Sequence, residues 1–375
     1  MKRRSLLRHF ALGASTLALP ALAQSERRIV LGQSAALSGP AAQLGLQFQL
    51  GAKLAFERAN ARGGVNGRSV ELRSLDDGYE PARCQANTQA LLAEDVLALF
   101  GYIGTPTSLA ALPLATAAKT PFIAPFTGAQ ALREPFNRYA FHLRASYYDE
   151  TARIVSQVTQ IGAKRVAVFH QNDSYGQAGL DGVTRALKVL KLDPVATGTV
   201  ERNTTDVAAA VATIMPSRPE AIVQISAYKS CAAFVRAARK AGYTGQFYNV
   251  SFVGTQALAD ELGAEARGVV VSQVMPYPFA PLNALTNEFL TSAAAAQPKV
   301  QANYSSIEGY VAARVVLEGL RRAGAGATRE TLIAGLESMQ NIDLGGFVVD
   351  FSPRKRVASS FVDLTILSGD GHIRR

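Results

Sequence analysis

Residues 100 to 115 read FGYIGTPTSLAALPLA. The apolar run from Val96 to Phe100 predicts a strand, and Pro106 to Ala118 predicts a helix. Gly, Thr and Ser residues make the loop between them. A loop of this kind offers backbone N–H groups and hydroxyls at a helix start, which suits something small and negative. A phosphate loop of the nucleotidase kind needs Gly-Lys-Ser/Thr, and GYIGTPTS has no Lys. The stretch therefore predicts a grip on a small anion rather than catalysis.

The same unit repeats on both sides. Upstream, Arg28 to Ala35 predicts a strand, Gly45 to Asn60 a helix, Val70 to Ser74 a strand and Pro81 to Ala93 a helix. The Gly63-Gly64 and Asn66-Gly67 pairs between them are stop and turn signals. A further strand is expected at Pro121 to Ala124. A second series starts near Tyr148 with a helix to Ile161. Strands at Arg165 to His170, Val195 to Val200, Ala221 to Ile225 and Phe247 to Val250 follow. They alternate with helices at Tyr175 to Leu190, Thr204 to Met215 and Ser230 to Ala241. Such alternation implies parallel sheets covered by helices on both faces, and two series imply two doubly wound α/β lobes.

Ligands of open parallel sheets sit beyond the carboxyl ends of the strands. The polar clusters fall there: Ser38-Gly39-Pro40, Thr105 with Thr107 and Ser108, Phe126-Thr127-Gly128, Asn172 to Gly176, Ala227-Tyr228 and Ser251-Phe252. Both lobes offer their loops, so a cleft between lobes is the natural site. Enzymatic equipment is missing. There is no G-x-G-x-x-G after a strand, no G-x-S-x-G elbow, and no His in a metal spacing with Cys, Asp or Glu. Asp76-Asp77 could pass for an acid pair, but adjacent strand-end residues point to opposite faces, so a turn role is expected. No catalytic residue, metal or cofactor is expected.

The amino terminus, MKRRSLLRHF followed by an apolar run from Ala11 to Leu22, reads as a secretory signal at 1–23 cleaved before Gln24. The Arg3-Arg4 pair leaves both the general and the twin-arginine export routes open. No Cys lies near the cleavage point, so no lipid anchor is expected. Removing Lys2, Arg3, Arg4 and Arg8 from the formal +10 leaves +6. Acids and bases alternate along the rest, so no basic stripe suggests nucleic acid. Cys84 and Cys231 fit no metal motif. Two buried thiols are expected, the alternative being a disulfide between halves.

IVLGQSAALSGPAAQLGLQFQLGAKLAFERANARGGVNGRSVELRSLDDGYEP, with TPFIAP at 120–125 and NDSYG at 172–176, resembles the leucine/isoleucine/valine-binding protein family. These are the type I periplasmic substrate-binding proteins of ABC importers. The resemblance implies two lobes joined by three crossovers, one from 27–146 plus 277–345 and one from 147–276 plus 346–375. It implies a monomer in the periplasm that delivers a small carboxylate or amino acid to an inner-membrane permease. A sensory protein of the same fold stays as an alternative. Carried over by position, Thr105 and Thr127, with Phe126, hold the ligand carboxylate. Leu44 and Tyr102 line the side-chain pocket, and Tyr148, Tyr175 and Tyr228 face the cleft from the second lobe. Ser251 stands where amino-acid-binding members carry the acid that pairs with the ligand ammonium. Either Asp149 or Glu150 replaces it, or the ligand has no ammonium, which is the favoured alternative. Tyr79 and Gly104 stand where the family has its cysteines, so its usual disulfide loop is absent.

Overall fold

The computed structural model describes residues 28–375, so the expected leader at 1–23 lies outside the described residues. Strand β1 (Arg28–Ala35) pairs in parallel with β2 (Ser69–Asp76) along its whole length, from Arg28 opposite Ser69 to Ala35 opposite Asp76. On its other side β1 pairs with β3 (Ala98–Phe100), which leads to β4 (Phe122–Ile123) and β5 (Ala140–Phe141). All pairs in this first sheet are parallel, so its loops open on one edge. Helices α1 (Ala42–Asn60), α2 (Pro81–Ala93) and α3 (Thr105–Ala117) return the chain between strands.

The second sheet starts after helix α4 (Tyr147–Gln160). Its parallel part is β6 (Val166–Gln171), β7 (Ala196–Val200), β8 (Ala221–Ile225), β9 (Gln246–Asn249) and β10 (Val270–Gln273). Between these strands run α5 (Ser174–Val189), α6 (Ala208–Ile214), α7 (Tyr228–Lys240) and α8 (Thr255–Leu262). The order reverses beside β1 in the first sheet and beside β6 in the second, since each pairs with both the next strand and the one after it. Crevices form at such reversals.

The chain then returns to the first lobe. Helices α9 (Ala284–Ala295), α10 (Tyr304–Ala323) and α11 (Arg329–Glu337) follow, and α10 lies along α1. Glycine makes this approach possible. A Cβ on Gly51 would lie 1.7 Å from the Ser306 carbonyl oxygen, and one on Gly309 would lie 1.9 Å from that of Phe48. Beneath α1, Phe48 and Phe56 pack on Phe100 with ring centroids 5.8 and 5.6 Å apart. Each such buried ring contributes about 1.5–3 kcal/mol of transfer free energy.

Three segments cross between the lobes, at about 142–146, 274–283 and 359–362. The tail expectation needs correction. Residues 346–358 do not join the second sheet. Strand β12 (Val348–Val349) pairs with β11 (Ile342–Asp343), Phe351 N–H donates to the Met339 carbonyl, and Arg356 accepts at its carbonyl from His142 N–H at 2.7 Å. Only β13 (Asp363–Leu367) and β14 (Ile373–Arg374) extend the second sheet, antiparallel beside β10. A second difference concerns α6, expected from Thr204 but found from Ala208. The Asn203 backbone is left-handed at φ 61°, and Ser230 Oγ donates to the Thr204 carbonyl at 2.6 Å, so 201–207 is held as a loop. Cys84 and Cys231 are both free and buried, which settles the alternative in favour of thiols.

Candidate functional site

The wall on the first lobe is built from backbone ends. Gly104 caps α3 at φ 92° with no side chain to occupy the helix N-terminus. The first amides of α3 therefore point outward at the positive end of the helix dipole. Thr105, the first residue of α3, shares a hydrogen bond of 2.7 Å with Thr127, hydroxyl to hydroxyl. Thr127 is held in turn by the Ala129 N–H at 3.2 Å, and Phe126 by its N–H donation to the Tyr102 carbonyl at 2.7 Å. Two buried hydroxyls and a bare helix start form a neutral donor cluster suited to a carboxylate.

The wall on the second lobe is aromatic. Tyr147, Tyr175 and Phe252 are buried, with Tyr147 and Tyr175 centroids 5.5 Å apart and Tyr175 and Phe252 4.6 Å apart. The Tyr147 and Tyr175 hydroxyls make no hydrogen bond of good geometry among the described residues, although Tyr147 approaches Thr127. Burial pushes the Tyr147 phenol up to about 12, so it stays protonated and can donate.

The sequence-predicted residues divide. Thr105, Phe126, Thr127, Tyr175 and Ser251 are buried, Thr105 and Tyr175 in the first turns of α3 and α5 and the other three where the chain leaves β4 and β9. Leu44 reaches across the lobes, its Cδ2 lying 2.5 Å from where a Gly254 Cβ would sit. Tyr228 sits farther out and lines a groove of about 450 Å³ with Gln43, Gln47, Lys229 and Gln256. Tyr102 is a correction. Its ring packs on Phe122 at 4.9 Å and its hydroxyl bonds Thr88, inside the cluster beneath α2 and α3 with Cys84 and Leu91. Tyr148 is another. It lies beneath the Arg185 guanidinium at 5.4 Å on the α5 side, while its neighbour Tyr147 turns inward. Ser146 sets this phase by capping α4 reciprocally with Asp149, so the first helical residue is Tyr147. Asp149 is thereby occupied in the cap.

Glu150 stands directly against Ser251. Its carboxylate accepts from Ser251 N–H at 2.8 Å, Ser251 Oγ at 3.1 Å and Ser272 Oγ at 2.6 Å. Burial raises its pKa, against the nearby Arg144 charge. Arg144, on the first crossover, donates to Glu308 of α10 at 3.0 Å and lies 4.3 Å over the Phe126 ring. Asp76 and Asp77 fasten loops, as a turn role requires. Asp76 accepts from the Leu37, Ser38 and Gly78 amides and from Arg83, while Asp77 accepts from Ser34 Oγ and Tyr79 N–H.

One edge of the cleft is bridged by residues that sequence reasoning missed. Arg202 donates to Glu80 of the first lobe at 2.9 Å and to Asp173 of the second at 3.2 Å. Asn203 donates to Glu80 at 2.7 Å and to the Gly78 carbonyl at 3.0 Å, and Gln171 Nε2 donates to the Tyr79 hydroxyl at 3.3 Å. Arg202 and Asn203 follow a strand in a charged loop. Nothing in their types separates them from solvated surface.

Residues 28–366 match the family described as "Periplasmic binding protein". The structure is similar to a possible leucine/isoleucine/valine-binding protein from Rhodopirellula baltica, at 34% identity and a TM-score of 0.88 over 94% of this chain and 96% of that one. It is also similar to a substrate-binding periplasmic protein from Ralstonia solanacearum, at 31% identity and a TM-score of 0.87 over 92% of this chain and 99% of that one. An amino acid binding protein of Pseudomonas aeruginosa is 28% identical over 250 residues, 65% of this chain and 66% of that protein.

Proposed function

The chain belongs to the periplasmic binding protein family, of leucine/isoleucine/valine-binding type, and from that premise we propose that it captures a small carboxylate between its lobes for an ABC importer. It is a solute-binding protein, not an enzyme. The observation that carries the ligand class is the Thr105–Thr127 hydroxyl pair at the uncapped start of α3. The carboxylate rests on that pair, and the Tyr147 and Tyr175 phenols close over it from the second lobe. The residues at 1–23 direct export to the periplasm, and a single chain with its lobes closed is the form a permease pair recognises.

A carboxylate without an α-amine fits the site best. An ammonium needs an acid with a free lone pair. Ser251 offers none, and Glu150 already accepts three donors and feels the Arg144 charge. An amino acid is the second reading. It is favoured by the position of Glu150 against Ser251 and by the amino acid binding protein among the relatives.

A thermal-shift screen of residues 24–375 separates the two. The panel is amino acids, aromatic acids, short aliphatic and dicarboxylic acids, and amides. Ligand that binds only the folded state raises the melting temperature. Shifts from non-amino carboxylates alone support the first reading. A shift from leucine or a relative that Glu150→Gln abolishes supports the second. No shift from any carboxylate overturns both.

A further inference from the structure

We propose that this protein takes up a proton together with its carboxylate ligand, bound at Glu308 when the lobes close; this rests on the carboxylate reading above. Three charged side chains meet out of water beside the first crossover. Arg144 lies on the crossover itself, Glu308 on α10 of the first lobe and Glu150 on α4 of the second, and all three are buried. Together they hold one positive charge and two negative ones. A buried charge without a counter-charge is costly, and such a group neutralises instead. A ligand ammonium would supply the missing positive charge. A ligand that is only a carboxylate does not, so a proton has to.

Hydrogen bonding decides which acid takes it. Glu150 accepts from Ser251 N–H, Ser251 Oγ and Ser272 Oγ, three donors that hold its charge. Among the described residues Glu308 accepts from one donor, Arg144 Nη2 at 3.0 Å. The contact is single-pronged, since Arg144 Nε and Nη1 have no partner among the described residues, and it lacks the strength of a two-pronged pair. Beside it lies a cavity of about 10 Å³, room for no more than one water. Glu308 feels two neighbouring charges of opposite sign, Arg144 and Glu150, so burial prevails and pushes its carboxyl from the ordinary 4.5 up to about 7. Arg133 stands behind Arg144, donating to its carbonyl at 3.0 Å within the field of Asp149. The Tyr147 and Tyr304 phenols are pushed up by burial and stay neutral. Phe126 and Tyr304 of the first lobe and Ser251 and Gln273 of the second wall the cavity, so opening the lobes parts its walls and returns Glu308 to water. A carboxyl raised on closing binds its proton below about pH 7 and gives it up above, so falling pH favours the closed form.

The test is titration calorimetry of wild type and Glu308→Gln with benzoate, phenylacetate, isovalerate and leucine, at about pH 6 and about pH 8. Each titration is run in buffers of different ionisation enthalpy, so the heat counts the protons taken up. The carboxyls of all four probes stay ionised over this range. Wild type should take up close to one proton per carboxylate bound at the lower pH and little at the higher. Its affinity should fall about tenfold between the two, as one group moving from 4.5 to about 7 on closing requires. Glutamine has the shape and neutrality of the protonated acid, so Glu308→Gln should take up no proton and bind equally at both. Wild type alone decides whether a proton enters, whatever the variant's folding. If wild type binds a non-amino carboxylate without taking up a proton at the lower pH, this inference falls and the carboxylate reading stands. Uptake that survives undiminished in Glu308→Gln overturns it as well. If leucine alone binds, its ammonium supplies the charge and both fall. If none of the four binds, both fall too.

Discussion

Two arginines each stand between an acid of one lobe and an acid of the other, and they do opposite work. Arg202 bridges Glu80 and Asp173 at the rim of the cleft. Arg144 donates to Glu308 and lies within the field of Glu150 at the crossovers. The Arg202 side chain is 23% exposed and that of Arg144 is 1% exposed. A bridge that water can replace is cheap to make and break, which suits a seam that opens. A bridge sealed from water is costly to break, because each freed charge stays desolvated. The same chemistry is therefore easily broken in one place and costly to break in the other, and burial makes the difference.

Removing one partner of the sealed pair should have the largest effect. Glu308→Ala takes from buried Arg144 the acid it is hydrogen-bonded to, leaving only the field of Glu150, and should cost about 3 kcal/mol in urea denaturation. Replacing both, Arg144→Met with Glu308→Met, should recover most of that loss, since buried pairs exchanged for apolar side chains are often neutral in stability. A double variant as unstable as Glu308→Ala would show that the cost does not come from a stranded buried charge.

The rim should respond in affinity rather than stability. Arg202→Ala should change unfolding free energy by about 1 kcal/mol or less, while weakening every ligand that binds by a similar factor. The ranking of ligands should stay as in wild type, because Arg202 touches the closed state and not the ligand. Calorimetry on the same panel checks this, and a change in ranking would place Arg202 in the pocket itself. Salt sharpens the contrast further. Raising ionic strength from about 0.01 to 1 M should weaken ligand binding in wild type more than in Arg202→Ala.

The smallest expected effect lies outside both seams. Burial opposes ionisation of Asp76, but the Ser38 hydroxyl, the Leu37 and Gly78 amides and Arg83 hold its carboxyl down at about 2. A carboxyl lowered on folding stabilises above its unfolded pKa of 3.8 and loses that contribution as pH falls toward about 2. Stability should therefore decline between about pH 4 and pH 2 more steeply in wild type than in Asp76→Asn. Equal slopes by circular dichroism would show that Asp76 does not fasten the 37–38 turn.

The contrast between seams also explains what the sequence could show. Strand and helix order was legible because each strand is short, apolar and bounded by Gly, Asn or Ser, and because the helices between them are of ordinary length. The loops that face the cleft were legible for the same reason, since they follow from strand direction. Individual side chains were less so. Tyr148 and Tyr147 differ by one position, and the cap at Ser146 decides which turns inward. Tyr102 looked like a pocket residue, but a Thr88 partner and the Phe122 ring hold it in the core. Tyr79 was noted only as a departure from a pattern. Its placement between the lobes depends on a left-handed backbone and on a glycine 25 residues away, neither of which has a local signal. Arg144 and Arg202 were invisible because a charged residue carries no mark of its burial.

The most direct test of the central claim, that the start of α3 and the 126–128 loop hold a carboxylate between the lobes, is titration calorimetry of Thr105→Val and Thr127→Val. The titrant is whichever carboxylate most raises the wild-type melting temperature. Valine keeps each side chain's shape and removes only the hydroxyl. The expected result is a loss of about tenfold or more in affinity for each variant, as befits a charge-assisted hydrogen bond in a buried site, with melting of the unliganded protein little changed. Wild-type affinity in both variants would contradict the claim and place the ligand elsewhere.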